Sequence, residues 1–257
     1  MSVMPDGWQP AATPPALQED EVHIWRIRLD LAPPFVAALY GVLVADELAR
    51  VARHRSGDVR RRFIVARGAL RSILSAYLGA GPQQVPIGYT CYGKPILMAT
   101  AELRGLACSF NLSHAGELAL VALSRGREVG VDLEQLRPEL ATAEIATRFF
   151  SPAESATLAA LPGEERVRAF FACWTRKEAY LKARGEGHAR PLDGFTVSVA
   201  SDRPAQLLSG CEAGDAARWA LVDLDPGPGY VGAVAAFGHG WRPVCRQWIG
   251  SPQLVGA

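Results

Sequence analysis

The sequence predicts an α+β fold made of two similar halves. Segments with strand-like alternation and segments with helical periodicity follow one another in the order strand, helices, strands, and this order occurs twice along the chain. The halves share no recognisable sequence identity, so the expected duplication is one of structure. With 257 residues, of which 49% are apolar, the chain can bury a substantial core and is expected to be globular.

Two tails are expected to flank these halves. Residues 1–18 are rich in Pro and Ala and are predicted to be a flexible N-terminal tail. The N-terminal half then covers residues 19–125 and the C-terminal half residues 126–240. Residues 241–257, with scattered Gly and Pro, are predicted to be a C-terminal tail that packs on the surface or frays.

The N-terminal half is predicted to contain, in chain order, a strand at 22–29, helices at 44–52 and 59–78, and strands at 107–112 and 118–123. In the longer helix apolar residues recur at three-four spacing from Phe63 to Tyr77, and Gly79 ends it. Gly93 and Pro95 fix a turn around Lys94.

The C-terminal half is predicted to contain a strand at 130–134, helices at 141–150, 152–160 and 164–184, and strands at 195–199, 219–222 and 230–237. We expect the strand at 219–222 to pair between the other two late strands.

Composition excludes few functions. The net charge of +1 favours no particular partner, but eight arginines and a single acid, Asp58, fall within residues 50–71. This patch either attracts phosphate groups or is a solvated helix face. The five cysteines show no metal-ligand spacing, and no secretory signal or membrane span is evident, so a reducing cytoplasm is the simplest setting.

The helix predicted at 164–184 carries a charge where an apolar residue is expected. Its apolar stripe consists of Val167, Phe171, Trp174 and Leu181. Glu178 occupies the gap in that stripe, and Lys182 follows one turn later on the same side. A carboxylate removed from water needs a counter-charge or a metal, so Glu178 is either paired with a basic residue or part of a site.

Asp132 and Glu134 are predicted to lie on one face of the strand at 130–134, since side chains alternate along a strand. Two solvated acids would be ordinary on an exposed strand. Together with Glu178 and Lys182, however, they are typical of a site for a hard divalent cation and a phosphate, because Mg²⁺ prefers oxygen ligands.

Further candidates lie at predicted strand ends and turns. Ser113 and His114 come just before Gly116, where side chains can reach a ligand. Lys94 is either a binding residue or a surface-turn lysine. No Gly-Lys-Ser/Thr ending follows a glycine-rich stretch, so a nucleotide P-loop is not supported.

Three segments resemble the signature blocks of the Sfp-type 4'-phosphopantetheinyl transferases, of the W/KEA subgroup. Residues 110–116 read FNLSHAG, residues 130–134 read GVDLE, and residues 174–182 read WTRKEAYLK. Weaker blocks agree at 92–95, 148–151, 191–193 and 228–230, so the resemblance covers roughly residues 20–238.

This resemblance implies a pseudo-twofold pair of α+β halves, each a small antiparallel sheet packed with helices, joined near residue 125. It implies that CoA binds in the cleft between the halves and that the enzyme is a monomer. The implied reaction is Mg²⁺-dependent, with Mn²⁺ as the alternative metal: 4'-phosphopantetheine moves from CoA to a serine of an apo acyl or peptidyl carrier protein, and 3',5'-ADP leaves.

The resemblance also implies roles for individual residues. The implied metal ligands are Asp132, Glu134 and Glu178; the implied CoA-phosphate contacts are Lys182, Ser113, His114, Lys94, Arg50 and Arg53. Glu178, or Glu154 acting through water, is expected to deprotonate the serine. Glu47 stands one turn before Arg50, where the family has a basic residue, so the contacts from this helix are expected to differ.

Two other functions are compatible with the residues. Clustered acids and a lysine also serve Mg²⁺-dependent phosphodiesterases such as nucleases, which need a long basic track for nucleic acid. A catalytically inactive module that binds CoA or a carrier protein is the second alternative. We expect neither a nucleic acid nor a membrane as partner.

Overall fold

The N-terminal half is organised by a five-stranded sheet. In this computed structural model, which describes residues 7–98, 108–185, 190–199 and 204–250, its strands lie in the order β1-β12-β2-β6-β5. Numbered along the chain, they are β1 (Gln9–Ala11), β2 (Glu21–Arg28), β5 (Cys108–Ala115), β6 (Leu118–Arg125) and β12 (Arg242–Trp248). β2, β6 and β5 pair antiparallel, whereas β12 runs parallel to both β1 and β2.

The C-terminal half is organised by a three-stranded antiparallel sheet in the order β10-β11-β7. Its strands are β7 (Val129–Gln135), β10 (Trp219–Leu224) and β11 (Tyr230–Phe237). Two small hairpins complete the strands, formed by β3 (Ile87–Tyr89) with β4 (Pro95–Leu97) and by β8 (Thr196–Val197) with β9 (Leu207–Ser209).

Each half has three α-helices in its described part, the last of them long. They are α1 (Pro33–Gly41), α2 (Ala45–Arg53) and α3 (Gly57–Leu78), then α4 (Ala143–Phe149), α5 (Pro152–Ala159) and α6 (Gly163–Arg184). α3 and α6 both have 22 residues and both end at a left-handed glycine, Gly79 and Gly185. The predicted fold of two similar α+β halves is confirmed.

Close packing sets where α6 lies. Gly130 of β7 has no side chain, and a Cβ there would stand 2.2 Å from Ala179 O and from Ala183 N. Glycine at this position therefore lets α6 lie directly on β7. The contact matters for function because Glu178 and Lys182 lie on α6 while Asp132 and Glu134 lie on β7.

Three groups of buried side chains fill the molecule. One lies within the N-terminal half and one within the C-terminal half. The third is shared by the two sheets and includes Val22, Leu120, Val131 and Val234. Burial of this shared group ties the halves together, because apolar surface from both is removed from water at the same place.

The expectation of loose tails is wrong for two segments. β1 falls within residues 1–18, and β12 falls within residues 241–257. β12 is inserted between β1 and β2, and its Cys245 and Trp248 are buried. The sequence of β12, with two arginines and a proline, gives no strong local signal for a strand, and its pairing partners β1 and β2 lie far away in the chain. The division of the chain at residue 125 stays a proposal.

Two smaller expectations also need correction. Within the described ranges β10 is paired in its sheet with β11 and forms the edge of that sheet, instead of lying between two strands. Ser113 and His114 belong to β5, so the turn to β6 begins later, at Gly116. None of the helices in the described ranges has the length and apolar character needed to cross a membrane.

Candidate active site

The edges of the two sheets meet at the predicted signature residues. β5 is the edge strand of one sheet and β7 of the other. The buried side chain of Asn111 on β5 crosses this junction, where its Oδ1 accepts a hydrogen bond of 3.0 Å from the Val131 N–H of β7. The sequence assigns no role to Asn111, although it belongs to a signature segment. In the structure its hydrogen bond joins β5 of one half to β7 of the other.

Next to this bridge lies a cluster of Ser113, Asp132 and Lys182. Ser113 Oγ donates to Asp132 Oδ1 at 2.8 Å, and Lys182 Nζ stands 2.5 Å from the same oxygen and 3.0 Å from Ser113 Oγ. The other oxygen, Asp132 Oδ2, is buried and has no hydrogen-bond partner among the described residues. Such an orphaned acceptor is costly, so the cluster is incomplete without a further positive or hydrogen-bond-donating group.

Glu134 is a second acid whose negative charge the surrounding residues do not fully neutralise. Its side chain is 22% exposed and lies 3.5 Å from Arg137. Burial, and then the neighbouring charge of Asp132, raise the pKa of Glu134 to about 7, while Arg137 and Lys182 only partly offset them. The charge of Glu178 raises the pKa of Glu134 as well, so Glu134 is affected by both of the other acids.

These residues suit a divalent cation, but they are not assembled around one. Over the described residues, no three His, Cys, Asp or Glu side chains are arranged as a metal site. Lys182 holds the Asp132 oxygen that a cation would share. The donor set fits, because it offers hard oxygen ligands, an orphaned Asp132 Oδ2 and a poorly neutralised Glu134. The metal assignment therefore stays a prediction.

His114 lies beside the cluster on the exposed side of β5. Partial removal of the imidazole from water lowers the pKa of His114, and the positive charges of Lys182 and Arg62 lower this pKa further. The imidazole is therefore neutral at pH 7 in this state. A bound anion would raise its pKa, since it would offset those charges.

Lys94 is not directed at the cluster. Its Nζ donates to Ala183 O at 3.0 Å, near the C-terminus of α6, and lies 3.5 Å from Glu128. Burial lowers the pKa of Lys94. These contacts place Lys94 at the junction of the halves, and its predicted contact with a CoA phosphate stays a prediction.

Arg50 and Arg53 are exposed on α2, as a phosphate-binding role requires. Arg50 lies over the ring of Tyr89, with its guanidinium carbon 4.5 Å from the ring centroid. Glu47 is fully buried between Arg67 and Arg71 and also caps α2 by accepting from the Val44 N–H. The acid that departs from the family pattern thus has a structural role.

The arginine patch is not one continuous surface. Arg67 and Arg71 are paired with Glu47, and Arg61 and Arg62 are paired with Glu117. Half of the eight arginines are therefore neutralised by acids. The long basic track that a nuclease would need is interrupted.

The structure argues against Glu154 as a catalytic residue. Glu154 is 1% exposed and its Oε1 lies 2.8 Å from Lys177 Nζ. The same oxygen accepts from the Val197 N–H, and Oε2 accepts from the Ser151 N–H in a capping box. Both oxygens are satisfied inside the C-terminal core, so we assign Glu154 a structural role instead.

Lys177 was missed by the sequence reasoning, although a signal existed. It lies three residues after Trp174 and four before Leu181, the spacing of an apolar stripe. A charge at such a position indicates a buried ion pair, and Lys177 is fully buried against Glu154. With Arg176, which pairs with Asp223 at 2.6 Å, it anchors α6 on the face away from the cluster.

An apolar cavity opens next to the acids. It has a volume of about 220 Å³ and is lined by Glu134, Arg137, Leu140, Ile145, Phe149, Phe170, Phe171 and Trp174.

Comparison with known proteins identifies the family. The model described as the 4'-phosphopantetheinyl transferase superfamily matches residues 128–235, and that of the 4'-phosphopantetheinyl transferase N-terminal region matches residues 34–125. The 4'-phosphopantetheinyl transferase HetI of Nostoc sp. is 44% identical, over 92% of this chain and 96% of HetI. The transferase Sfp of Bacillus subtilis is 31% identical, over 52% of this chain and 56% of Sfp.

Among solved structures, the holo-[acyl-carrier-protein] synthase of Thermotoga maritima is 21% identical and covers 43% of this chain and 62% of its own, with a TM-score of 0.34. The sequence relatives suffice: with the fold and the cluster they define a transferase. The chain belongs to the 4'-phosphopantetheinyl transferase superfamily, as the resemblance of its signature segments predicted.

Proposed function

We propose that this chain transfers the 4'-phosphopantetheine group of CoA to a serine hydroxyl of an apo acyl or peptidyl carrier protein. The cluster of Ser113, Asp132 and Lys182 at the junction of the two sheets carries this proposal. It joins the three signature segments in space, and no described residue offers a hydrogen-bond partner to Asp132 Oδ2. Binding of CoA between the halves fits this place, because both halves contribute side chains to it.

The bond changes define what the site must do. The serine oxygen forms a bond to the β-phosphorus of CoA, and the bond from that phosphorus to the bridging oxygen breaks, so that 3',5'-ADP leaves. The serine proton goes to a base. Glu178 is our candidate, because Glu154 is fully occupied within the core.

The remaining residues position and neutralise charge. Asp132, Glu134 and Glu178 would hold Mg²⁺, with Mn²⁺ as the alternative, and the ion would supply neutralisation of the pyrophosphate charge. Lys182, now on Asp132, would donate to a pyrophosphate oxygen and balance charge on the departing 3',5'-ADP. Ser113 and His114 would hold CoA phosphates by hydrogen bonds, and Lys94, Arg50 and Arg53 are proposed as further contacts.

We also propose that the protein acts as a monomer in the cytoplasm. Residues of both halves of one chain build the cluster, which supports a site that needs no second subunit. All five cysteines are thiols, which suits a reducing compartment.

The reaction is tested by intact mass spectrometry of apo acyl and peptidyl carrier proteins incubated with the protein, CoA and Mg²⁺. We expect a mass gain of one phosphopantetheine on at least one carrier, together with release of 3',5'-ADP. If none of a panel of carriers gains this mass, the proposal is wrong.

The site is tested with the variants Asp132→Asn and Glu178→Gln. We expect each to lower the transfer rate by about 100-fold or more, because a carboxylate next to the reacting phosphates is lost. Mg²⁺ binding, measured by calorimetry, should weaken in parallel. The control is Glu144→Gln, which removes an exposed acid in the first turn of α4. Full activity in Asp132→Asn would refute the assignment.

A further inference from the structure

Glu117 places a negative charge in the middle of a positive region. It lies in the turn between β5 and β6, three residues after His114. Arg62 contacts Glu117 Oε1 through Nε at 3.0 Å and through Nη2, and Arg61 Nη2 lies 3.3 Å from each carboxylate oxygen. One carboxylate therefore neutralises part of the charge of two neighbouring guanidinium groups.

The turn that carries Glu117 is held in place. The backbone N–H of Glu117 donates to Tyr230 Oη on β11 at 3.1 Å, and Arg61 Nη1 donates to Leu29 O at 2.8 Å. Both the acid and the arginines are thus presented at a fixed point where the two halves meet.

This point lies beside the candidate CoA-phosphate residues. His114 and Glu117 belong to the same hairpin, in which His114 on β5 pairs with Ala119 on β6 just beyond the turn. The side chains of Arg61, Arg62 and Glu117 are 28%, 36% and 36% exposed, so a dissolved anion can reach them.

The ion pairs of Glu117 with Arg61 and Arg62 can be replaced by contacts between these arginines and a bound phosphate. Ion pairs with this much exposure are weak, whereas guanidinium groups bind phosphate in a two-pronged geometry through their N–H donors. A phosphate with more than one negative charge can therefore displace the single charge of Glu117 from at least one arginine.

We propose that Glu117 is a resident counter-anion, which Arg61 and Arg62 exchange for a phosphate of CoA. Glu117 thereby sets the affinity of this chain for CoA and 3',5'-ADP. It holds the arginines in place before the ligand binds, and it lowers their affinity for the phosphate afterwards. This inference rests on the proposed function, because it takes CoA as the ligand of the adjoining cluster.

The test is binding of CoA and of 3',5'-ADP to Glu117→Gln, measured by calorimetry at several salt concentrations. We expect the Kd of both ligands to fall by about tenfold at low salt, as one opposing charge is removed at a partly exposed site. The decrease should shrink as salt is raised. The matched control is Glu212→Gln, which removes an exposed acid that also contacts two arginines, Arg184 and Arg218.

A combined variant shows whether the effect runs through the two arginines. In an Arg61→Gln/Arg62→Gln background, the further change Glu117→Gln should alter the Kd by less than about twofold, because both charges that it would release are gone. A full tenfold effect in that background would overturn the proposal. Unchanged or weaker binding in Glu117→Gln alone, or an equal gain in Glu212→Gln, would overturn it as well.

Dephospho-CoA, which lacks the 3'-phosphate, shows which phosphate of CoA the two arginines bind. If the gain in Glu117→Gln occurs with CoA but not with dephospho-CoA, the arginines take the 3'-phosphate; an equal gain with both assigns them to the pyrophosphate, and either result supports the exchange. Failure of the wild-type protein to modify any carrier would refute the proposed function, whereas active wild-type protein with unchanged binding in Glu117→Gln would refute only this inference.

Discussion

Asp132 and Glu154 are both buried acids, yet their surroundings give them different roles. Glu154 has an ammonium group and two backbone N–H donors on its two oxygens. Asp132 has Ser113 and Lys182 on one oxygen and nothing on the other among the described residues. A satisfied acid stabilises the fold, whereas an acid with an unsatisfied oxygen is available for a ligand.

This difference predicts the behaviour of Glu154→Gln. The variant should lower the free energy of unfolding by about 3 kcal/mol, because Lys177 would stay buried without its counter-charge. The transfer rate per folded molecule should stay near that of the wild type. Urea unfolding and the mass-based transfer assay measure the two quantities, and Glu144→Gln controls for loss of an acid. A 100-fold slower reaction with unchanged stability would show that Glu154 takes part in catalysis.

Among the elements, the turn between β5 and β6 lies in close contact with the opposite half. Gly116 in this turn has a φ of +53°, and a Cβ there would stand 2.4 Å from Tyr230 Oη and 2.8 Å from Gln135 Oε1. Gly126, in the next turn, has a φ of +68° and nothing within 4 Å of such a Cβ. The two glycines therefore share a left-handed backbone and differ in available space.

Alanine at each position separates these two effects. Gly126→Ala should cost about 1 kcal/mol of stability, from backbone strain alone. Gly116→Ala should cost about 1–3 kcal/mol more, because the added methyl group overlaps side chains from β7 and β11. Adding Tyr230→Phe should recover part of that excess, since it removes the nearest atom. Equal losses in denaturant unfolding for both glycines would contradict the predicted overlap.

At the scale of the whole molecule, the chain ends tie the halves together. After leaving the C-terminal half, the chain returns as β12 into the sheet of the N-terminal half and pairs there on both sides. Trp248 of β12 joins the N-terminal core, while Cys245 joins the core shared by the sheets. The C-terminal strand is therefore part of the body of the enzyme.

A chain ending at Gly240 should consequently lose far more than a surface tail. Loss of Trp248 alone removes a buried indole, which costs about 3–5 kcal/mol, and β2 would lose a hydrogen-bonded neighbour. We expect a cooperative melting temperature lowered by 10 °C or more, or no folded protein, in circular dichroism. The control is a chain ending at Gly250, which keeps β12. A shortened chain as stable as this control would show that β12 is dispensable.

The sequence by itself determined the order of strands and helices, the two long helices and the grouping of Asp132, Glu134, Glu178 and Lys182 as candidates. These features were predictable because periodicity, helix-ending glycines and charges on an apolar stripe are local properties of the chain. The resemblance to a known family added the reaction to which such residues belong.

Only the tertiary structure decided how buried charges are matched and where the chain ends go. Glu154 meets Lys177, Glu47 meets Arg67 and Arg71, and β12 pairs with β2. No local pattern fixes these partners, because burial and pairing depend on which distant segments pack together. Register and close packing therefore separate the acid that holds the core from the acid left open to a ligand.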